Sequence, residues 1–86
     1  MGNFISLFMQ IELAFGQLLK ERRALCGFTQ ADLALRAGIA ASFVSRMERG
    51  QACPTIETVF KLANAFDEAP EDLVKRLREI VKEGEQ

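Results

Sequence analysis

Few side chains in this sequence could do acid–base, nucleophilic or metal chemistry. His, Tyr and Trp are absent from its 86 residues, and the two cysteines, Cys26 and Cys53, stand too far apart for a Cys-x-x-Cys pair. Without histidine or a cysteine motif, neither a tetrahedral zinc site nor a His-activated nucleophile can form. We therefore expect no enzyme activity, no metal and no cofactor. Both cysteines are interpreted as small buried thiols, with redox sensing as the alternative.

The residues between Thr29 and Gly50 could instead donate hydrogen bonds to an anion. Up to Gly50 six basic residues face four acidic ones, whereas beyond it five face eight, so the first part of the chain carries the positive balance. Arg46 and Arg49 stand three residues apart, and Gln30 opens a predicted helix, where free backbone amides attract negative charge. This part of the chain is expected to face an anionic partner.

The elements that position these residues are predicted to be helices. Apolar residues recur with a period of 3.6, and no stretch alternates with a period of two, so the fold class is all-α. Capping residues and glycines define five helices: the first over residues 4–26, the second between Thr29 and Gly38, the third over 41–49, the fourth opened by Pro54 and Thr55, and the fifth opened by Pro70. A polar tail, 83–86, is expected to fray.

The same periodicity predicts which side chains enter the core. The first helix contributes Phe4, Phe8, Ile11, Phe15, Leu18 and Leu19, and the next two contribute Leu33, Ala34, Ala37, Val44 and Met47. The fourth contributes Ile56, Val59, Phe60, Ala63 and Phe66, and the fifth contributes Leu73, Leu77, Ile80 and Val81. Residues 1–14 also carry apolar side chains at other angles, so this segment is too apolar to remain solvated as a free helix.

Two short helices joined by a tight turn at Gly38 have the arrangement of a helix-turn-helix. From about residue 15 to residue 73 the sequence resembles the Cro/cI-type (XRE) helix-turn-helix family, through Phe15-Gly16, Arg23, Gly27-Phe28-Thr29-Gln30, Leu33-Ala34, Gly38-Ile39, Val44-Ser45, Glu48-Arg49-Gly50 and Pro54. The resemblance implies a five-helix lambda-repressor-like DNA-binding domain, assigned here to 15–82. It further implies a sequence-specific transcription regulator, similar to small restriction-modification controller proteins and phage-type repressors.

The resemblance also assigns roles to individual side chains. The implied DNA-binding residues are Gln30, on the DNA backbone, and the outward residues of the third helix, Ala41, Ser42, Ser45, Arg46 and Arg49. Arg46 is the candidate for reading guanine, because its fork can donate two bonds to guanine O6 and N7, whereas Arg49 is expected on phosphate. Arg23 and Glu48 are the family's buried ion pair. Phe43 either packs against the second helix or contacts a thymine methyl group.

One position departs from the family pattern. Ala40 stands where similar sequences place Ser or Thr as the N-cap of the recognition helix, and alanine is a poor cap. Ser42 is the alternative cap, and its use would begin the helix one or two residues later. The positions that contact bases depend on which start is used.

The fifth helix carries more apolar residues than a terminal helix needs. Its stripe, Leu73, Leu77, Ile80 and Val81, is the predicted homodimer interface, and residues 1–14 are expected to extend the first helix and pack beside it. One module offers few base contacts, so a homodimer on palindromic double-stranded operator DNA is expected. The alternative is a protein-interaction module, an antitoxin or antiactivator on the same fold. With no leader or membrane anchor recognised, the expected compartment is the cytoplasm.

Overall fold

The computed structural model of the protein describes residues 4–84, with side chains from Gln10 onward. Within that range it has no strand and five α-helices: α1 (Phe4–Cys26), α2 (Gln30–Ala37), α3 (Ala41–Glu48), α4 (Ile56–Ala65) and α5 (Pro70–Gly84). The prediction of an all-α, five-helix fold is confirmed. Two bounds differ, because α3 ends one residue earlier than predicted and α5 continues through Gly84, into the segment that was expected to fray.

Local hydrogen bonds set both ends of α2. The Thr29 hydroxyl accepts from the backbone N–H of Asp32 at 3.0 Å, and the Asp32 carboxylate accepts from the backbone N–H of Thr29 at 2.9 Å, which completes a capping box. At the other end Gly38 takes the left-handed conformation (φ 71°), which glycine adopts without strain. The chain therefore turns sharply, and residues 38–40 alone connect α2 to α3.

The third helix begins at Ala41 without a side-chain cap. Ala40 is the N-cap residue in an extended conformation, and its carbonyl oxygen accepts from the backbone N–H groups of Phe43 and Val44. The alternative of a helix start shifted to Ser42 is wrong. The outward positions of α3 therefore keep the register that the family resemblance implies.

The core lies where α1 crosses the other helices. α1 packs against α3 and α5, α2 packs against α3 and α4, and α4 packs against α5. Seven fully buried side chains, drawn from all five helices, form its centre: Leu18, Leu19, Leu33, Val44, Met47, Leu62 and Leu73. Phe43 is half-buried against this core, as its packing interpretation requires. Ile11 is half-buried, while the predicted core residues Phe4 and Phe8 lie outside the side chains that the structure describes.

The predicted inner face of α4 is wrong at two positions. Ile56 and Phe60 are 71% and 57% exposed, whereas Leu62, which the prediction omits, is fully buried. Ile56 and Phe60 stand one helical turn apart, so they form a second apolar stripe beside the one that includes Val59, Leu62 and Ala63. The stripe of Leu62 meets the core, and periodicity alone cannot choose between two apolar stripes on one helix.

The apolar stripe of α5 divides into two halves. Leu73 and Ile80 are buried within the single chain, at 0% and 5% exposure, whereas Leu77 and Val81 are half-buried. The prediction that all four form a homodimer interface is therefore wrong for Leu73 and Ile80. The reason is that α1 begins at Phe4 and runs alongside α5, so that residues of α1 cover the inner side of α5.

Gly16 lets α1 approach the end of α3 more closely than a larger residue would. A Cβ atom at this position would lie 2.6 Å from the Met47 carbonyl oxygen and 2.8 Å from the Glu48 carbonyl oxygen. Both distances are shorter than van der Waals contact, and a packed backbone cannot swing aside as a flexible side chain can. The last carbonyl groups of α3 therefore rest directly on the backbone of α1.

Replacing Gly16 by alanine is expected to lower the free energy of unfolding by about 1 to 3 kcal/mol through overpacking. This loss should appear even though alanine is the better helix former by about 1 kcal/mol. Urea unfolding measures the change. The matched control is Gly84→Ala, also in a helix, where an added Cβ would meet no atom within 4 Å. A Gly16→Ala protein at least as stable as the parent would contradict the close contact.

Candidate nucleic-acid interface

Glu48 is the one charged residue that is buried in the described part of the chain. Its carboxylate is 2% exposed and is bound twice by Arg23 of α1: Nε lies 2.6 Å from Oε2, and Nη2 lies 2.9 Å from Oε1. The remaining Nη1 of Arg23 donates to the Phe28 carbonyl oxygen at 2.9 Å. Two parallel bonds of this kind fix the relative orientation of both side chains as well as their separation.

Gln30 belongs to the same cluster. It is the first residue of α2, it is half-buried, and its Nε2 donates to Glu48 Oε1 at 2.9 Å. The end of α1, the start of α2 and the end of α3 therefore meet at one carboxylate, which accepts three hydrogen bonds. This link between Gln30 and Glu48 is absent from the sequence prediction, which treats Gln30 as an outward residue.

These contacts set the ionisation of Glu48. Burial alone would raise the pKa of this carboxyl group, but the hydrogen bonds from Arg23 and Gln30, together with the charges of Arg23 and Lys20, hold its pKa below the ordinary value of 4.5. The bond to Glu48 likewise raises the pKa of the Arg23 guanidinium. Both groups are charged at neutral pH, so the cluster is an ion pair with a neutral amide attached.

The outer face of α3 carries the residues predicted to contact DNA. Ala41, Ser42, Arg46 and Arg49 are exposed, and Ser45 is half-buried. Arg49 is held in place, because its Nη1 donates to the Ser45 hydroxyl and its Nε donates to the Gln51 side-chain oxygen at 3.2 Å. Among the described residues no hydrogen bond or ion pair engages the Arg46 guanidinium, so its whole fork is available to a ligand.

The solvent side of α3 is positively charged. Its one acidic residue, Glu48, is turned inward and paired with Arg23, so the exposed charges here are Arg46 on the helix and Arg49 at its C-cap. Basic residues clustered on one helix face match the negative charge of a phosphate backbone. Exposed acids on α3 would instead have favoured the alternative of a protein-binding surface.

A second ion-pair network ties α1 to α5 rather than to α3. Arg76 of α5 donates to Glu21 of α1 at 2.9 and 3.0 Å, and Arg22 donates to Glu68 at 2.9 and 3.0 Å. The bond from Arg76 lowers the pKa of Glu21. Sequence reasoning missed these pairs, because 55 residues separate Glu21 from Arg76 and no local pattern connects them.

The remaining candidates for chemistry are two free thiols. Cys26 is exposed at the end of α1, so its interpretation as a buried residue is wrong. Cys53 is half-buried, and burial and the nearby Glu12 raise its pKa, which disfavours the reactive thiolate. Within residues 4–84 no three His, Cys, Asp or Glu side chains gather as a metal site requires, and no helix combines the length and apolar character of a membrane span.

This geometry defines a class of protein. The two short helices α2 and α3 are joined through Gly38 and linked by the buried Glu48 carboxylate, and two arginines lie on the outer side of α3 and at its C-cap, as in a helix-turn-helix. Comparison with known sequences agrees, because the helix-turn-helix family HTH_3 matches residues 19–73. The chain belongs to this family, which comprises XRE-type DNA-binding transcription regulators.

Curated relatives share this domain. The chain is 33% identical over 60 residues to the HTH-type transcriptional regulator y4dJ of Sinorhizobium fredii. The aligned residues cover 70% of this chain and 73% of that protein. It is 36% identical over 55 residues to the HTH-type transcriptional regulator MJ0272 of Methanocaldococcus jannaschii. That alignment covers 64% of this chain and 83% of that protein. The predicted family is confirmed.

Solved structures include two similar restriction-modification controller proteins. C.AhdI from Aeromonas hydrophila is 39% identical with a TM-score of 0.69, over 72% of this chain and 94% of that chain. C.Esp1396I, crystallised as a tetramer in complex with its natural 35 base-pair operator, is 20% identical with a TM-score of 0.75, over 83% of this chain and 93% of that chain. The second likeness concerns the fold alone. The predicted similarity to controller proteins is confirmed.

Acid is expected to weaken the fold through Glu48. Because its pKa is lower in the folded protein than the ordinary 4.5, its stabilising contribution is complete above that value and is lost as pH falls through the folded pKa. Glu48→Gln should lower the free energy of unfolding at pH 7 by roughly 2 to 4 kcal/mol, somewhat less than for a fully buried pair because Arg23 keeps some contact with water. The variant should also lose less stability than the parent between pH 5 and pH 3.

Denaturant unfolding across this pH range measures both effects. The control is Glu83→Gln, which removes an exposed carboxylate 3.6 Å from Arg76 and should change stability little. If Glu48→Gln and the parent show parallel pH profiles, Glu48 is not the group whose protonation weakens the fold.

Proposed function

We propose that the protein is a transcription regulator that binds double-stranded DNA sequence-specifically, as a homodimer on a palindromic operator in the cytoplasm. The observation that carries this proposal is the exposed side of α3 and its C-cap, where Arg46 and Arg49 form no ion pair with any described acidic residue. An α-helix fits the major groove of DNA, where every base pair presents a distinct pattern of donors and acceptors. Residues 15–82 form the DNA-binding domain in this proposal.

Different residues are proposed to select the sequence and to position the protein. Arg46 donates two hydrogen bonds to a guanine, and Ala41 and Ser42, exposed in the first turn of α3, reach neighbouring bases. Arg49 carries its charge at a fixed place and binds a phosphate. Gln30 donates to the DNA backbone at the start of α2, where the first backbone amides also attract phosphate.

The homodimer is proposed to form through an apolar face of α4 and α5. Ile56, Phe60 and Val74 are 71%, 57% and 46% exposed, and Val74 lines each of three shallow depressions along this surface. The half-buried Leu77 and Val81 continue the surface toward α1. These five residues are named the α4–α5 face, and a contiguous apolar surface of this kind marks an interaction site. It replaces the four-residue stripe predicted from the sequence.

A two-fold dimer suits both the surface and the ligand. The same face on both copies can pair with itself, and the resulting symmetry presents two α3 helices to two half-sites about 10 base pairs apart, one turn of DNA. Each copy then adds its own set of base contacts. Two copies therefore provide the affinity and the specificity that one eight-residue recognition helix lacks.

Residues 1–14 are proposed to complete the dimer interface. α1 begins at Phe4, and Ile11 lines a depression together with Val74, Leu77 and Val81 of the α4–α5 face. A helix start that is apolar all round requires cover, which a second copy can supply at this place. The predicted burial of Phe8 concerns a side chain outside the described ones and remains a prediction.

Arg46→Ala is expected to weaken binding to the preferred duplex by about 1 to 3 kcal/mol and to relax selection at one base pair of each half-site. Selection from a pool of random-sequence duplexes, followed by affinity measurement on the enriched duplex, provides the test. The control is Arg78→Ala, which removes an exposed arginine from α5 and should leave the preferred sequence unchanged. An unchanged preference in Arg46→Ala would contradict the proposed role.

Phe60→Glu is expected to convert the dimer to a monomer, because a charge would lie within the apolar α4–α5 face. Deletion of residues 2–10 should also weaken the dimer. Light scattering over a range of protein concentrations measures the mass. Leu25→Glu is the matched control, since Leu25 is 74% exposed but lies at the end of α1. A Phe60→Glu dimer as tight as the parent would exclude the α4–α5 face.

A further inference from the structure

The side-chain amide of Gln30 has a defined polarity. Its Nε2 lies 2.9 Å from Glu48 Oε1, and an ionised carboxylate can only accept hydrogen bonds, whereas an amide has a donor end and an acceptor end. The amide must therefore turn its NH2 group, not its oxygen, toward Glu48. The carboxylate of Glu48 thus determines the orientation of the Gln30 amide.

The carboxylate that makes this choice is itself immobile. Arg23 binds both of its oxygens, its exposure is 2%, and the hydrogen-bonding capacity of the buried side chains in this part of the structure is satisfied. Since Glu48 is the last residue of α3, the position of the Gln30 amide is also tied to the recognition helix. A shift of α3 would carry the amide with it.

One donor of the amide remains available. The NH2 group has two hydrogens, and the bond to Glu48 uses one of them. Nearby in the first turn of α2, the backbone N–H of Asp32 is already bound to the Thr29 hydroxyl, and that of Leu33 to the Thr29 carbonyl oxygen. The second N–H of Gln30 and the first backbone N–H groups of α2 are therefore donors without a partner among the described residues, and a phosphate oxygen requires donors.

We infer that Glu48 is a positioning residue for DNA binding, acting through Gln30. Its carboxylate holds the Gln30 amide with the second N–H facing the DNA backbone and keeps the amide oxygen, which would repel a phosphate, away from it. The inference rests on the proposed function, because it takes the ligand of Gln30 to be a DNA phosphate. A role in folding alone would weaken DNA binding whether or not Gln30 is present.

A double-mutant cycle distinguishes these two roles. The variants are Glu48→Gln, Gln30→Ala and the double variant, and the probe is the duplex enriched by the parent protein from a random-sequence pool. In the parent background Glu48→Gln should weaken binding about tenfold or more, the value of one hydrogen bond to a charged group. In the Gln30→Ala background the same change should alter affinity less than twofold. Equal weakening in both backgrounds would overturn the inference.

The cycle has a matched structural control. Glu21→Gln removes another carboxylate that arginines hold, through two hydrogen bonds from Arg76 and one from Arg22, but at the contact between α1 and α5. It should lower thermal stability without changing affinity at a temperature where circular dichroism shows every variant folded. Affinity that falls with stability across all variants, Glu21→Gln included, would show that folding alone explains the effect of Glu48.

A second measurement needs no substitution at Glu48, so it holds even if Glu48→Gln fails to fold. In the isotope-labelled parent protein, the two side-chain amide protons of Gln30 are identified by their loss in Gln30→Ala. Adding the enriched duplex should shift the outward proton and leave the Glu48-bound proton in place. Loss of the Glu48-bound signal in the complex would overturn the inference, because Gln30 would then leave Glu48 in order to bind DNA.

The two proposals fail in different ways. If the folded parent enriches no duplex at low salt, the proposed function is wrong and the inference falls with it. If the parent enriches a duplex but the cycle is additive, DNA binding stands and only the positioning role of Glu48 is excluded.

Discussion

A negative charge placed out of contact with water constrains the helix-turn-helix part of this protein more than any other feature. An unmatched carboxylate in that position would cost several kcal/mol, so the two hydrogen bonds from Arg23 to Glu48 stabilise the fold strongly. That requirement sets the end of α1 relative to the end of α3, and the third hydrogen bond, from Gln30, adds the start of α2. Three helix ends are thereby arranged by one functional group, in the part of the molecule where small displacements would matter most for recognition.

In the rest of the chain, the paired charges and the exposed apolar surface lie in different places. Arg76 pairs with Glu21 and so joins α5 to α1, whereas Arg22 pairs with Glu68 and joins α1 to the connection between α4 and α5. With a net charge of −1 the protein lacks a strong positive field, which places the burden of recognition on a few donors held in defined positions. The α4–α5 face lies elsewhere on the molecule, so the surface proposed for DNA and the surface proposed for a second copy do not overlap.

Sequence reasoning succeeded where the cause of a structure is local. Thr29 and Asp32 form a cap because they stand three residues apart, and Gly38 ends α2 because its own backbone permits the turn. It failed where the cause lies in a distant segment. Ile56 and Phe60 look as apolar as Val59, and only the placement of α2 and α5 shows which stripe is covered. The bond between Gln30 and Glu48 spans 18 residues and has no periodic signature, whereas that between Ser45 and Arg49, four residues apart, could have been anticipated.

The contact at Gly16 has a consequence for how such a protein can change its target. The position of α3 is fixed by the contact of its last backbone carbonyl groups with α1 and by the packing of its inward side chains. The exposed residues Ala41, Ser42 and Arg46 take no part in these contacts. Substitutions at these positions alter what the helix presents without altering where it sits. Under the proposed function, operator preference is then an exchangeable property of a few surface positions, and regulators with different operators could diverge from one ancestral chain without rebuilding its core.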